Sequence, residues 1–168
     1  NRRLLACSSP TGPAFEGGGI SSGMRAARGA IQRVEVTKDG ALACATIGGT
    51  LPRGICGSGL VDLLAAMLRA GWIDRSARLR ADAPLVRTGP SGLEIVVVPA
   101  EATAIERDIT VTNADLENLL RSKAAVYAGA ALLARRLGVE MTDLERVYVA
   151  GGFGTYLDIG NAIQIGFL

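Results

Sequence analysis

Where glycine clusters limits this chain more than any other feature of its sequence. The clusters are Gly17–Gly19, the stretch from Gly54 to Gly59, and Gly151-Gly152-Phe153-Gly154. There are 22 glycines in 168 residues, about 13% where roughly 7% is usual. Clustered in this way, the excess predicts several tight turns rather than one flexible linker. The last cluster follows Val147–Ala150, a continuous apolar run that reads as a buried sheet strand. Glycine at the carboxyl end of such a strand lets the backbone approach a ligand or adopt positive φ, and open α/β sheets bind ligands at that end. Gly151, Gly152 and Phe153 are therefore candidates to lie against the adenosine or ribose of a nucleotide. A sharp strand-to-helix turn without a ligand would use the same residues.

The second cluster, Gly54-Ile55-Cys56-Gly57-Ser58-Gly59, opens a helix. Leu60, Leu63, Leu64, Met67 and Leu68 recur at helical spacing as far as Ala70, and Gly71 is the expected stop. Free N–H groups at a helix start attract anions, and glycine removes the steric barrier to phosphate or ribose, so Gly57, Ser58 and Gly59 are candidate ligand contacts. Ser58 could equally serve as a cap. No lysine follows these glycines, which excludes a Walker A loop. No carboxylate stands where a dinucleotide fingerprint needs one for the ribose.

In the first cluster along the chain Glu16 is the one acid of the loop Ser8–Gly19. A carboxylate there could hold Mg²⁺ through water or position an attacking water, or simply bond its own loop. Gly17 and Gly18 suit a turn or a close contact. Lys123 and Arg121 fall on a long helix. One of their stems could cover an adenine ring or bring charge near phosphate, and facing solvent is the plainer role.

The remaining pattern is mixed α/β. Leu4–Cys7 reads as a buried strand, and Ser22–Ala30 as a short helix with Met24, Ala27 and Ile31 on one face. Gln32–Thr37 and Ala41–Ile47 read as a hairpin turning at Asp39-Gly40. Asp74–Gly92 reads as irregular, followed by strands at Leu93–Val98 and Asp108–Val111. Thr112, with Asp115 three residues on, predicts a capped start for a long helix. Its buried face would run from Leu116 through Leu119, Leu120, Ala124, Tyr127, Ala130, Ala131 and Ala134 to Leu137, ending at Gly138. Asp158 is a cap for a last helix.

Other chemistry is excluded or disfavoured. A net charge of +2 and 4% aromatic residues do not suit a nucleic-acid surface. No apolar run reaches the length of a membrane span, no signal peptide opens the chain, and a cytoplasmic location is expected. There is no histidine, which removes histidine acid/base chemistry. Cys7, Cys44 and Cys56 fit neither a disulfide framework nor a metal ligand set. Cys56 reads as a small packed residue rather than a nucleophile.

Three segments together carry a family resemblance. They are Gly12-Pro13-Ala14-Phe15-Glu16-Gly17-Gly18-Gly19-Ile20 with Gly23-Met24-Arg25-Ala26-Ala27; Pro52-Arg53-Gly54-Ile55-Cys56-Gly57-Ser58-Gly59-Leu60-Val61-Asp62; and Val147-Tyr148-Val149-Ala150-Gly151-Gly152-Phe153-Gly154. In this combination the chain resembles the reductive activators of corrinoid proteins, ferredoxin-like proteins with an ASKHA-type (acetate and sugar kinase, Hsp70, actin) C-terminal domain. The resemblance covers essentially the whole chain. It implies an ASKHA lobe, α/β with a mixed sheet and flanking helices, that binds ATP with Mg²⁺. Such proteins use ATP to help reduce cob(II)amide to cob(I)amide on a partner corrinoid protein, with the electron supplied by an N-terminal [2Fe–2S] domain. They also tend to form homodimers. The resemblance places Gly151, Gly152 and Phe153 at the adenosine side, Gly57, Ser58 and Gly59 at a second nucleotide turn, Glu16 with Gly17–Gly19 in a loop at the start of the second lobe, and Lys123 near the adenine. It further implies that residues 1–168 are this second lobe alone, cut at both ends, without the first lobe or the iron–sulfur domain. A sugar or carboxylate kinase lobe and a non-catalytic scaffold of the same superfamily are the competing expectations.

Overall fold

The computed structural model describes residues 4–168. Six strands form two three-stranded sheets. The first contains β1 (Ala30–Val36), β2 (Leu42–Thr46) and β3 (Gly54–Ile55) in the order β2-β1-β3; β1 runs antiparallel to β2 and parallel to β3. The hairpin expected around Asp39-Gly40 is present, with Val34 opposite Cys44 and Val36 opposite Leu42. The second sheet is fully antiparallel, with β4 (Val86–Gly89), β5 (Gly92–Val98) and β6 (Ile109–Thr112) in chain order. β4 was not expected from the sequence, because Val86-Arg87-Thr88-Gly89 has only one apolar residue. Its backbone is paired all the same, with Val86 opposite Ile95 and Gly89 opposite Gly92.

Helix α1 spans Gly57–Ala70, as its apolar spacing predicts. It ends on Gly71 in the left-handed region at φ 71°. Leu60, Leu63 and Met67 lie fully inside, against β1. Burial of each such side chain is worth about 1.5–3 kcal/mol, so this packing dominates the local energetics. The core continues through Ile31 and Val34 to Ile95, Ile109 and Val111 of the second sheet and to Leu116 and Leu119. One apolar cluster therefore joins both sheets.

Helix α2 (Asn113–Leu137) opens with the expected capping box. Asp115 N donates to Thr112 Oγ1 at 3.2 Å, and Thr112 N donates to Asp115 Oδ2 at 2.9 Å. The other oxygen of Asp115 accepts from Ser21 N at 2.8 Å, which ties the helix start to the glycine loop before β1. The buried face does not run the full length of α2. Leu116, Leu119, Ser122 and, near the far end, Ala134 are buried, whereas Ala124, Tyr127, Leu132 and Leu137 are exposed. Over the second half of α2 the cover is thin, supplied by the loop at Cys7–Ser9 and the short turn Met141–Asp143.

Three further expectations fail for related reasons. Leu4–Cys7 is not a strand and is exposed, Leu4 at 95%. Val147–Ala150 is likewise no strand, with Tyr148 at 83% exposure. Both runs are apolar enough for a strand, but no described strand offers either one a ladder, and a strand without a partner gains no backbone bonds. Ser22–Ala30 forms turns instead of a helix. Its backbone is drawn into β3: Ile55 N donates to Ser22 O at 2.8 Å and Met24 N to Ile55 O at 2.9 Å. Gly29 at φ 87° then leads into β1.

The chain closes with two short helices, α3 (Gly152–Tyr156) and α4 (Ile159–Gln164). Asp158 caps α4, accepting from Asn161 N at 2.9 Å as its position suggested. No described helix is long and apolar enough to cross a membrane.

Candidate functional site

A cavity of about 720 Å³ opens among the three glycine clusters. That lies within the range of roughly 300–1,000 Å³ typical of pockets for small molecules and cofactors. Thr11, Phe15 and Glu16 line it from the first cluster, Cys56, Gly57 and Ser58 from the second, and Gly152, Phe153 and Tyr156 from the third. Segments more than 90 residues apart in sequence thus meet at one site.

The first wall is held against α2. Ser122 Oγ donates to Thr11 O at 2.5 Å, Ser9 Oγ to Ala125 O at 2.6 Å, and Asn118 Nδ2 to Gly19 O at 2.9 Å. Within this loop Ala14–Glu16 makes a 3₁₀ turn closed by Gly17 at φ 84°. The turn buries Ala14 and leaves Glu16 exposed at the cavity. Gly17 and Gly18 do not face the cavity. A Cβ on Gly17 would stand 2.4 Å from Met24 N, and one on Gly18 would stand 2.8 Å from Pro13 Cβ. Both glycines are explained by the packing of their own loop.

The second wall is the start of α1. By helix geometry the first-turn amides of Gly57, Ser58 and Gly59 lack intrahelical acceptors. Gly57 and Ser58 border the cavity. Ser58 Oγ lies 3.4 Å from Cys56 Sγ and makes no N-cap bond, so the capping alternative for Ser58 fails. Gly59 turns inward, where a Cβ would stand 2.2 Å from Ile31 O.

Gly151, Gly152 and Phe153 form the third wall. Gly151 takes φ 96° as the residue before α3, so positive φ is present there although the preceding strand is not. Around Gly152 an added Cβ would meet nothing within 4 Å. Phe153 joins Phe15 and Phe167 in an aromatic cluster, with ring centroids 6.1, 4.8 and 6.1 Å apart. The edge of Phe153 lies over Gly57, with Phe153 Cε2 2.8 Å from where a Gly57 Cβ would be. The second and third walls are therefore in direct contact.

Lys123 is not brought to this site. It is half-buried beside a separate cavity of about 50 Å³, with Leu119, Leu120 and Ile165, and Phe15 borders both cavities. Arg121 is exposed and paired with Glu117 one turn away at 3.6 Å. Sequence reasoning missed Arg25 and Gln32, which line the main cavity, Arg25 from the segment before β1 and Gln32 from β1 itself. Arg25 lies inside one of the recognisable segments, but only the route of the chain past β3 reveals that it faces the cavity.

The residues fit some implied groups and not others. One exposed acid beside a helix start suits Mg²⁺, which keeps several waters and commonly takes one or two carboxylates together with ligand phosphates. An iron–sulfur cluster needs four thiolates. The three cysteines here lie apart: Cys7 is exposed, Cys44 is half-buried on β2 and Cys56 is buried. They do not fit such a cluster.

Comparison with known proteins gives the family of the chain. The C-terminal domain of RACo, its ASKHA domain, matches residues 1–168. The corrinoid activation enzyme RamQ of Eubacterium limosum is 35% identical over 99% of this chain and 29% of its own length. A [Co(II) methylated amine-specific corrinoid protein] reductase of Methanosarcina barkeri is 28% identical over 98% of this chain and 31% of its own. A solved reductive activator for a corrinoid, iron–sulfur protein superposes with a TM-score of 0.88 at 47% identity, across 96% of this chain and 26% of that one. The chain thus spans less than a third of the length of the relatives it matches. With a matching sequence pattern over its whole length and a shared fold, this chain belongs to the family of RACo C-terminal ASKHA domains.

Proposed function

We propose that this chain is the nucleotide-holding lobe of an ATP-dependent reductive activator, which promotes electron transfer to a corrinoid protein and takes its cobalt centre from cob(II)amide to cob(I)amide. The observation that carries this reading is Gly152. Of the three glycines that line the cavity, Gly57 is filled around by its own chain, whereas Gly12 and Gly152 have open space where a side chain would be, and Gly152 sits directly before the aromatic Phe153. The named activities of the relatives supply the corrinoid partner.

In this reading the amides of Gly57 and Ser58 and the Ser58 hydroxyl receive the phosphate or ribose oxygens, as free donors at a helix start do. Gly152 admits the nucleoside against the backbone, beside the apolar face of Phe153. Glu16 orients Mg²⁺ through water, or the water that attacks the terminal phosphate. Lys123 is left out of the adenine contact by its place beside the smaller cavity. Bound Mg²⁺–ATP supplies the free energy of its phosphoanhydride bond. The electron comes from a [2Fe–2S] domain elsewhere in the full protein, and a cytoplasmic homodimer is the expected working form.

The test uses the full-length protein. With a reduced electron donor, ATP and Mg²⁺, it is expected to convert a corrinoid protein from the cob(II) to the cob(I) absorbance spectrum, and omission of ATP is expected to stop the conversion. Phosphoryl transfer to a small sugar or carboxylate would redirect the assignment to a kinase. Absence of both ATP binding and corrinoid turnover would leave a scaffold role.

A further inference from the structure

Asp62 lies on α1 one turn past Ser58 and is 2% exposed. It does not border the cavity, and the proposed chemistry leaves it without a task. Its Oδ1 accepts from Asn161 Nδ2 at 2.7 Å, and its Oδ2 stands 3.5 Å from Arg33 Nη1. Asn161 uses its whole amide: while Nδ2 donates to Asp62, Oδ1 accepts from Arg69 Nη1 at 2.7 Å. Its backbone N–H makes the cap bond to Asp158, and Asp158 Oδ2 lies 3.9 Å from Arg33. Asp62 and Arg69 of α1 therefore converge on one asparagine at the head of α4, while Arg33 of β1 reaches the two carboxylates beside it, Asp62 and Asp158. Asparagine suits the place because its one planar amide offers a donor to a carboxylate and an acceptor to a guanidinium.

The clasp bears on the site through packing. Val61, Leu157 and Ala162 are buried together, and Phe15, Phe153 and Phe167 pack against them. Phe153 in turn overlies Gly57. On the other side of the turn, Val147–Ala150 has no strand partner among the described residues. The Gly152–Phe153 wall is thus held from its carboxyl side, by α4.

We propose that Asp62 and Asn161 are positioning residues that lock α4 onto α1, and so fix the Gly152–Phe153 wall at the correct distance from the Gly57–Ser58 wall. The proposal rests on the nucleotide reading of the cavity. Neither residue touches the nucleotide. They act through Phe153, and their loss should loosen the pocket without removing a reacting group.

The experiment uses the full-length protein with Asn161→Ala, Asp62→Asn and the exchanged pair D62N/N161D. Asn161→Ala is expected to raise the KM for ATP about tenfold with kcat within about twofold, because a displaced wall weakens binding more than chemistry. The exchanged pair restores one donor–acceptor contact with its direction reversed, and is expected to return KM to within about threefold of wild type. A purely structural role would lower the melting temperature of every variant without this rescue. Hydrogen exchange over residues 151–168, measured without nucleotide, is expected to quicken about tenfold in Asn161→Ala. If the wild-type protein binds no ATP, the nucleotide reading fails, and exchange alone then judges the clasp. Unchanged exchange at 151–168 in Asn161→Ala, or an unchanged KM in that folded variant, overturns the proposal.

Discussion

The glycine turn at the start of α1 and the glycine turn at Gly151–Gly154 look alike in sequence and stand in opposite surroundings. At α1 the chain fills the space around glycine. A Cβ on Gly57 would stand 2.1 Å from Phe15 O, and one on Gly59 would stand 2.2 Å from Ile31 O. At Gly152 the chain leaves the space empty. The first turn is glycine because the fold needs it; in the proposed reading the second is glycine because a nucleotide comes close. A glycine motif alone cannot separate these two causes; the atoms around an imagined Cβ can.

The largest expected effect tests the filled turn. Gly59→Ala drives a methyl into the Ile31 carbonyl, a backbone atom that cannot step aside, and Ile31 lies at the centre of the core. A loss of about 3 kcal/mol or more is expected, the scale of severe overpacking, and urea denaturation measures it. A variant as stable as wild type would show that the start of α1 is looser than the packing indicates.

The open turn should answer the other way round. Gly152→Leu at the first position of α3 sets its Cβ in open space at an exposed position, so stability is expected within about 0.5 kcal/mol of wild type. The same leucine projects into the cavity, and ATP affinity in the full-length protein is expected to fall about tenfold or more, as when a ligand's space is occupied. Calorimetric titration reads the affinity and thermal denaturation the stability. If stability falls and affinity does not, the comparison is broken and Gly152 becomes a folding glycine like Gly59.

The same contrast explains which parts of the molecule could be read from sequence. Signals local to a few residues came through. Thr112 and Asp115 mark the start of α2, Gly71 and Gly138 mark helix ends, Asp158 caps α4, and the Leu60–Met67 spacing gives α1. Features that depend on a distant partner did not. Leu4–Cys7 and Val147–Ala150 are apolar enough to be strands, but apolarity says nothing about whether a neighbouring strand is there to pair with. The alanine-rich stripe of α2 predicts continuous burial, and its second half receives it fully only at Ala134. At the site, Glu16, Gly57, Ser58, Gly152 and Phe153 were legible because glycine clusters announce themselves, and the cavity brings them together. Arg25, Gln32 and the Asp62–Asn161 contact were not, since each depends on where a remote segment lies.

The smallest effect, in rate rather than stability, comes from the three thiols, which report on both regions at once. Cys56 stands directly before Gly57, is 2% exposed, and has its Sγ 3.3 Å from Ile31 O. Cys7 is exposed, with its Sγ 3.8 Å from Gly129 O on the poorly covered half of α2. Cys44 lies between these extremes, half-buried on β2, and burial pushes its thiol up to about 11. At pH 8 its thiolate is then on the order of one in a thousand, and the thiolate is the reactive form. Alkylation of the native protein at pH 8, followed by mass spectrometry, is therefore expected to label Cys7 first, Cys44 far more slowly, and Cys56 only after unfolding. For Cys44 the sign is fixed by its raised value: its labelling should quicken as pH climbs toward 11, while access still limits Cys56. Early labelling of Cys56 at pH 8 would mean that the start of α1 opens readily. The filled turn would then differ from the open one in degree only.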